Sequence, residues 1–420
     1  MKTKTLSILV SISILGAAFA VDVRDVTLQQ RWPWSRLIDV EFVIDGEAGG
    51  NMRYDVALEA KNGSDVLAVP TAAITGSLSA LENGLHKITI DPVAAGFPND
   101  VLTHFTVTLS ATPSPSYMII NLVTGAKTYR YDWSDTTWCN TDEYKTTNMV
   151  FRHICKGAFY LGAADTNSPF LLPSDPKNHN DMPAHRVHVS SDFYIAVFET
   201  TQKQYETLMG DNPSTWAHED TRPVETVPLI SKMRWCTYPS ALNSTQFSSE
   251  ALDTRGFTGK LSNLASVKAD LPWEYQWEYA ARAGTQWPYF MENVYQNNSA
   301  EMVKYMRYRG NCPNTTDTTL GSASGGTATV GAYLPNAWGL YDVCGNVFEA
   351  CLDGYLSTFD ASMPEATDEF VAMNLGYSKR VFKGGGYNSD HKWTRCATRA
   401  DVSGDNSNKE SGFRVVVKYE

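Results

Sequence analysis

Asn336-Ala337-Trp338-Gly339-Leu340-Tyr341-Asp342-Val343-Cys344-Gly345-Asn346-Val347-Phe348-Glu349 is the stretch whose reading decides the fold of this chain. Three further blocks come after it in order: Lys383-Gly384-Gly385-Gly386-Tyr387, Arg395-Cys396-Ala397-Thr398-Arg399 and Gly412-Phe413-Arg414. Between the glycine block and the Arg-Cys-Ala block the chain reads Asn388-Ser389-Asp390-His391-Lys392-Trp393, with no cysteine. The three glycines are succeeded by neither a helical pattern nor Lys-Ser/Thr, so they read as a close-packed turn rather than a phosphate cradle. Much of the surrounding sequence is rich in Gly, Asn and Ser, with few regular runs.

Upstream, helical punctuation occurs twice. Glu199-Thr200-Thr201 precedes Gln202 to Met209, where Tyr205, Leu208 and Met209 recur at helical spacing before Gly210. Leu271-Pro272 precedes Trp273 to Gly284, which places Pro at an initiating position and Gly at the end, with Trp273, Trp277 and Ala280 on one face. An aromatic stripe of that kind is expected to be core packing rather than a cofactor box. Other blocks are Gly157-Ala158-Phe159-Tyr160-Leu161-Gly162, Pro183 to Val189, Phe193-Tyr194-Ile195, Phe198 to Tyr205 and Pro223 to Val227. Taken together and in this order, from about Thr147 to Tyr419, they resemble the formylglycine-generating enzyme (sulfatase-modifying factor) family.

That resemblance implies the family's irregular α+β fold, related to C-type lectins, and an oxidoreductase ancestry. It also implies a calcium site at Asp342, Gly345, Val347 and Glu349, the outer two giving side-chain oxygens and the inner two backbone carbonyls. A hard cation wants several oxygens on a tight turn, which Gly345 permits; the other reading is a metal-free loop tied by hydrogen bonds to Asn346. A second family calcium site would fall near Asn311 to Gly326, where Ser322 to Gly326 stand in place of a carboxylate. The family's copper-binding cysteine pair would lie between Gly386 and Cys396. Copper(I) prefers soft thiolates, and Asn388 to Trp393 offers none, so copper is not expected. Gly386, Phe348 and Ala350 occupy positions where the family groove has a Ser and two Trp residues, whereas Arg399 persists. The groove candidates are therefore Arg399, His391 and Trp393, with His391 and Asp390 as a conceivable acid/base pair or simply an exposed loop. Cys396 matches a structural cysteine of the family whose usual partner position is Ala281 here, so any bridge is rewired, with Cys344 and Cys351 on neighbouring blocks. His185 and His188 suggest a ligand pair, but period two sends them to opposite faces of a strand.

The first part of the chain reads differently. Met1-Lys2-Thr3-Lys4, an apolar run from Leu6 to Ala18 and the ending Ala18-Phe19-Ala20 form the three parts of a secretory signal peptide, residues 1–20. From Val21 onward there are short alternating runs at Ile38 to Ile44, Tyr54 to Ala60, His86 to Asp91, Thr103 to Ser110 and Tyr117 to Leu122, separated by Gly, Asn, Asp and Pro. They predict an immunoglobulin-like all-β sandwich over residues 21–137, without chemistry of its own. Residues 138–148 are expected to be a linker and residues 149–420 the second domain.

In 420 residues, 43% hydrophobic and 19% charged, there is material for two cores. A net charge of −11 argues against a nucleic-acid footprint, and after the leader no stretch approaches the ~20 apolar residues of a membrane span. Seven cysteines, none in a C-x-x-C pair, match no zinc pattern, and their connectivity is open. The expected protein is exported and binds a peptide, glycan or protein partner without catalysis. The alternative is an oxidoreductase of the same superfamily that works without the cysteine pair, using Arg399 and His391. An ergothioneine-type iron enzyme would need a His-x-x-x-His-x-Glu motif, which is absent.

Overall fold

A computed structural model describes residues 21–31, 34–46, 51–97, 102, 104–134, 136–163, 184–216, 219–234, 253–291, 299–312, 325–355, 365–367, 379–403 and 406–419. The expected leader and nearly all of the second calcium segment lie outside the described residues. Two compact units divide the chain: Met1–Ser116 with Arg130–Asp135, and Tyr117–Tyr129 with Thr136–Glu420.

The first unit is built from strands β1 (Val21–Gln30), β2 (Ile38–Gly46), β3 (Arg53–Asn62), β4 (Asp65–Leu67), β5 (Ile74–Thr75), β6 (Gly84–Ile90) and β7 (Phe105–Ser114). They form two antiparallel sheets, ordered β1-β2-β6-β5 and β4-β3-β7. In β2 the residues two apart, Ile38, Val40, Phe42 and Ile44, are all buried. They meet Ile88 and Ile90 of β6, Tyr54 and Val56 of β3, and Val107 and Leu109 of β7 in one core. Each such side chain stabilises the unit by about 1.5–3 kcal/mol on burial, more than the exposed ion pairs outside it. Asp39 stands among these on β2, where Arg31 Nη2 (2.8 Å) and Thr89 Oγ1 (2.8 Å) donate to it. The Arg31 guanidinium, more than the opposing burial, holds its carboxyl down at about 2.

The second unit is centred on a six-stranded sheet, β14-β20-β13-β10-β8-β9. Its members are β8 (Tyr117–Asn121), β9 (Lys127–Arg130), β10 (Asn148–Ile154), β13 (Phe193–Ala196), β14 (Ala269–Asp270) and β20 (Val416–Lys418). A three-stranded sheet holds β11 (Gly157–Leu161), β12 (His185–Val189) and β16 (Glu365–Thr367). A four-stranded sheet orders β18-β17-β15-β19, made of β15 (Phe348–Gly354), β17 (Lys379–Lys383), β18 (Ala400–Ser403) and β19 (Ser411–Gly412). Helices α1 (Glu143–Thr146), α2 (Gln202–Met209), α3 (Phe257–Ala265) and α4 (Glu274–Arg282) pack around these sheets.

Both helices read from the sequence form where their punctuation places them. Thr201 Oγ1 accepts from Gln204 N and Gln204 Oε1 accepts from Thr201 N, a reciprocal cap, and Gly210 ends α2 at φ +86°. In α4, Trp277 and Ala280 are sealed in a core with Ile195, Val381 and Val416, while Trp273 packs half-buried against it, so the aromatic stripe is core. His185 and His188 lie three apart on β12, opposite Leu161 and Ala158, and so point to opposite faces.

Two expectations of domain anatomy change. The strand at Tyr117–Asn121 forms, but it pairs with β10 (Tyr117↔Arg152 to Asn121↔Asn148) and therefore belongs to the second unit. Met118, Ile120 and Leu122 bury against Met149, Phe151 and Tyr194. Residues 138–148 are packed structure rather than a linker. Trp138 stands edge-on to Tyr117 and Tyr144, Cys139 is fully buried, and Asn140 Nδ2 donates to Gly331 O at 2.9 Å. Apolar side chains in a Thr/Asp-rich stretch found a core that its composition concealed.

Candidate functional site

The Asp342–Glu349 loop is held by backbone that few residues adopt: φ is +58° at Asp342, +88° at Gly345 and +61° at Asn346. A Cβ on Gly345 would fall 2.1 Å from Arg307 O, so only glycine fits. Asn346 then ties the loop down, donating to Glu199 Oε2 at 2.6 Å and accepting from Ala328 N at 2.8 Å. Val347 N donates to the other Glu199 oxygen at 3.1 Å. Three buried carboxylates thus gather at the loop, Glu199, Asp342 and Glu349, facing the fully buried Arg414.

These carboxylates are not equivalent. Glu349 takes a fork from Arg414 (Nη2 to Oε1 2.7 Å, Nε to Oε2 2.8 Å) and a third bond from Trp277 Nε1 at 2.7 Å. Arg414 also donates to the carbonyls of Ala196, Val197 and Tyr341. Asp342 Oδ2 accepts from Gly331 N at 2.6 Å, whereas Oδ1 is buried with no hydrogen-bond partner among the described residues. Burial raises the Asp342 carboxyl to about 6, against the Gly331 amide and Arg414. Glu199 is pushed well above the carboxylate range by burial and by the charges of Asp342 and Glu349. As calcium ligands, then, Asp342 fits through its orphaned oxygen, and Glu349 fits only by sharing Oε1, since Arg414 already neutralises it.

The groove candidates separate. Arg399 is buried, its Nε and Nη2 at 2.7 and 3.0 Å from the two oxygens of Glu274 at the start of α4, with Tyr355 across its guanidinium. Glu274 and Glu278 in turn meet the sealed Lys383, and Arg282 binds Glu278. Arg399 is thereby part of a buried ion network. His391 and Trp393 share a short 3-10 turn capped by Asp390. His391 Nδ1 lies 3.1 Å from Tyr289 Oη, its Nε2 is 3.6 Å from Asp390, and Trp393 is 39% exposed. His391 and Trp393 are thus brought together, while the Arg399 guanidinium is engaged by Glu274. Gly384 and Gly385 turn at φ +86° and +73° against Trp277 and Thr394, the close-packed turn expected.

Cys344, Cys351 and Cys396 are thiols with no exposed surface. Burial pushes Cys344 and Cys351 up, and Cys344 and Cys396 interact with each other. Cys344 thus stands beside Cys396, while the family's usual partner position, Ala281, offers no sulfur.

Residues 136–419 match the family model of the sulfatase-modifying factor enzyme 1-like domain. The chain belongs to this family. The chain is 28% identical over 240 residues to the chaperone protein LppX of Paenibacillus barcinonensis, covering 54% of this chain and 80% of that protein. It is 32% identical over 150 residues to the formylglycine-generating enzyme of Thermomonospora curvata, covering 34% of this chain and 48% of that enzyme. The mouse formylglycine-generating enzyme is 30% identical over 159 residues, covering 36% and 39%. The matches to these two enzymes therefore span about half of their length or less. Among solved structures, Treponema denticola variable protein 1 aligns with a TM-score of 0.48 at 20% identity, over 65% of this chain and 96% of that one.

Within the sulfatase-modifying factor domain, the sequence reading missed Glu199, Arg414, Glu274 and Lys383. A signal existed for Arg414, a charge inside the apolar run Phe413 to Val417. None existed for its pairing with Glu349, which is 65 residues away.

Proposed function

We propose that this chain is an exported, non-catalytic binding module in which the sulfatase-modifying factor domain captures a peptide, glycan or protein partner, joined to an immunoglobulin-like β-sandwich. One observation carries the reading: the segment from Tyr387 to Arg395 offers no thiol, and the thiols of the neighbouring blocks have no exposed surface. Copper(I) chemistry needs accessible soft sulfur. Similarity to a protein named as a chaperone supports a binding role. The exposed Trp393, beside His391, is the surface that would meet a partner. The cysteine-independent oxidoreductase needs Arg399 as a groove cation, and Glu274 already occupies that guanidinium.

The test is oxygen consumption by the purified chain with thiol peptides, with and without copper, run beside suppression of aggregation of an unfolding client. The binding reading expects no copper-dependent turnover and a client effect weakened by Trp393→Ala. Copper-dependent turnover overturns it. Calcium at the Asp342 loop is part of the same proposal, with Asp342 Oδ1, a shared Glu349 Oε1 and the Gly345 and Val347 carbonyls as ligands. It predicts a rise in Tm on adding calcium that Asp342→Ala abolishes; no rise in the wild type removes the site.

A further inference from the structure

At the far end of the β10–β13 ladder three unlike ligands converge. Ile154 pairs with Phe193, so Cys155 extends one strand where Asp192 precedes the other. His153 and Cys155 are two apart on an extended chain and share a face. The His153 nitrogen, the Cys155 sulfur and an Asp192 oxygen lie within 4.8 Å of one another, the one such His/Cys/Asp/Glu group of three or more among the described residues. Two of the ligands are fixed from behind. Asp192 Oδ1 accepts from Lys156 N at 2.9 Å, and the His153 ring lies stacked on Tyr419, centroids 4.2 Å apart and planes 15° apart.

We propose that His153, Cys155 and Asp192 form a zinc site. The set is nitrogen, sulfur and oxygen, which suits a borderline-soft cation and not calcium or magnesium, both of which demand oxygens. Ligands about 2.0–2.3 Å from a tetrahedral ion stand roughly 3–4 Å apart, inside the observed spread. His153 Nε2 and Asp192 Oδ2 are 2.7 Å apart and share a proton; the cation takes that proton's place with a small opening of the pair. Zinc binding releases the proton of the thiol. His153 and Asp192 are buried while Cys155 is half-buried, so ligand entry and a fourth position lie on the sulfur side. The stacked Tyr419 and the Lys156 amide hold ring and carboxylate in place, as outer contacts do around bound metals.

The experiment uses the full mature chain, stripped with a chelator and then dialysed against zinc or cobalt alone. One metal per chain is expected, together with a thiolate-to-cobalt charge-transfer band. Cys155→Ser should remove the band and weaken binding by more than about 100-fold, beyond the loss typical of outer contacts. His153→Gln should weaken binding comparably, with circular dichroism unchanged. Independently of any variant, zinc should slow alkylation of Cys155 in the wild type at least about tenfold, read by peptide mass mapping. A wild type that retains no metal, a Cys155→Ser variant that keeps wild-type affinity and band, or alkylation indifferent to zinc would overturn the proposal.

Discussion

Arg414 is fully buried, and all three of its nitrogens are committed: the Glu349 fork on one side and three backbone carbonyls on the other. Removing it strands the Glu349 charge in a core. Arg414→Met should therefore cost about 3–5 kcal/mol in urea unfolding, as breaking a buried pair does. Arg414→Lys should not restore it, because an ammonium cannot reproduce the fork. Asp353 is the opposite case. Burial, reinforced by the Glu274 charge, raises its carboxyl from 3.8 to about 7. The folded state then holds a proton that the unfolded chain has lost, so this residue's contribution to stability falls as pH rises from about 4 through about 7. Asp353→Asn can still accept from Glu274 N, the bond Asp353 makes at the start of α4. It should flatten that slope, so that the variant gains relative to wild type between about pH 5 and about pH 8; equal urea midpoints for the two proteins at the upper end of that range would refute the assignment. Asp39, held down at about 2 by Arg31, has the reverse sign and loses its contribution only as pH falls from about 4 towards 2. The charges at Asp342, Glu349 and Arg414 were legible in the sequence, whereas their pairing, and the Gly331 amide that holds Asp342, were not, since the pairing is made by the fold.

At the scale of elements, local chemistry specifies what can be decided locally. Thr201 and Gln204 form the cap their spacing calls for, and the Thr201 hydroxyl also donates to Lys145 O at 2.6 Å, tying α2 to α1. Thr201→Ala removes a cap and leaves that carbonyl and the Gln204 amide short of a partner. A loss of about 1–2 kcal/mol is expected in chemical denaturation, and a change below a few tenths would show that the cap carries no stability. The Pro272 and Gly284 signals around α4 read correctly for the same reason. What the sequence pattern could not supply was which faces the helix would present. Nearly every side of α4 is buried, including Glu274 and Glu278, whose charges are met by the distant Lys383 and Arg399, and Arg282, which pairs with Glu278 on the helix itself. Arg399 looked like a groove residue because its position resembles one; only the packing of α4 beside β17 reveals that Glu274 claims it.

For the whole molecule, alternation in Tyr117 to Leu122 announces a strand but says nothing of the sheet it joins, because pairing partners are non-local. Both faces of β8 are covered, Met118 and Ile120 on one core and Tyr117 on another with Val150 and Phe198. The match to the family begins at residue 136 and so starts beyond this strand too. Composition drew the boundary at residues 137–138, and physical packing draws it on both sides of the 117–129 hairpin. A fragment of residues 138–420 would lack β8 and leave the β10 edge, with Met149 and Phe151, uncovered. Such an edge invites pairing with other chains. We expect that fragment to aggregate, or to melt well below a fragment of residues 117–420, which keeps the hairpin. Size-exclusion profiles and thermal melts of the two decide it. Equal Tm values and monomeric elution for both would mean that β8 adds nothing to the second unit, and the boundary read from composition would then be the physical one.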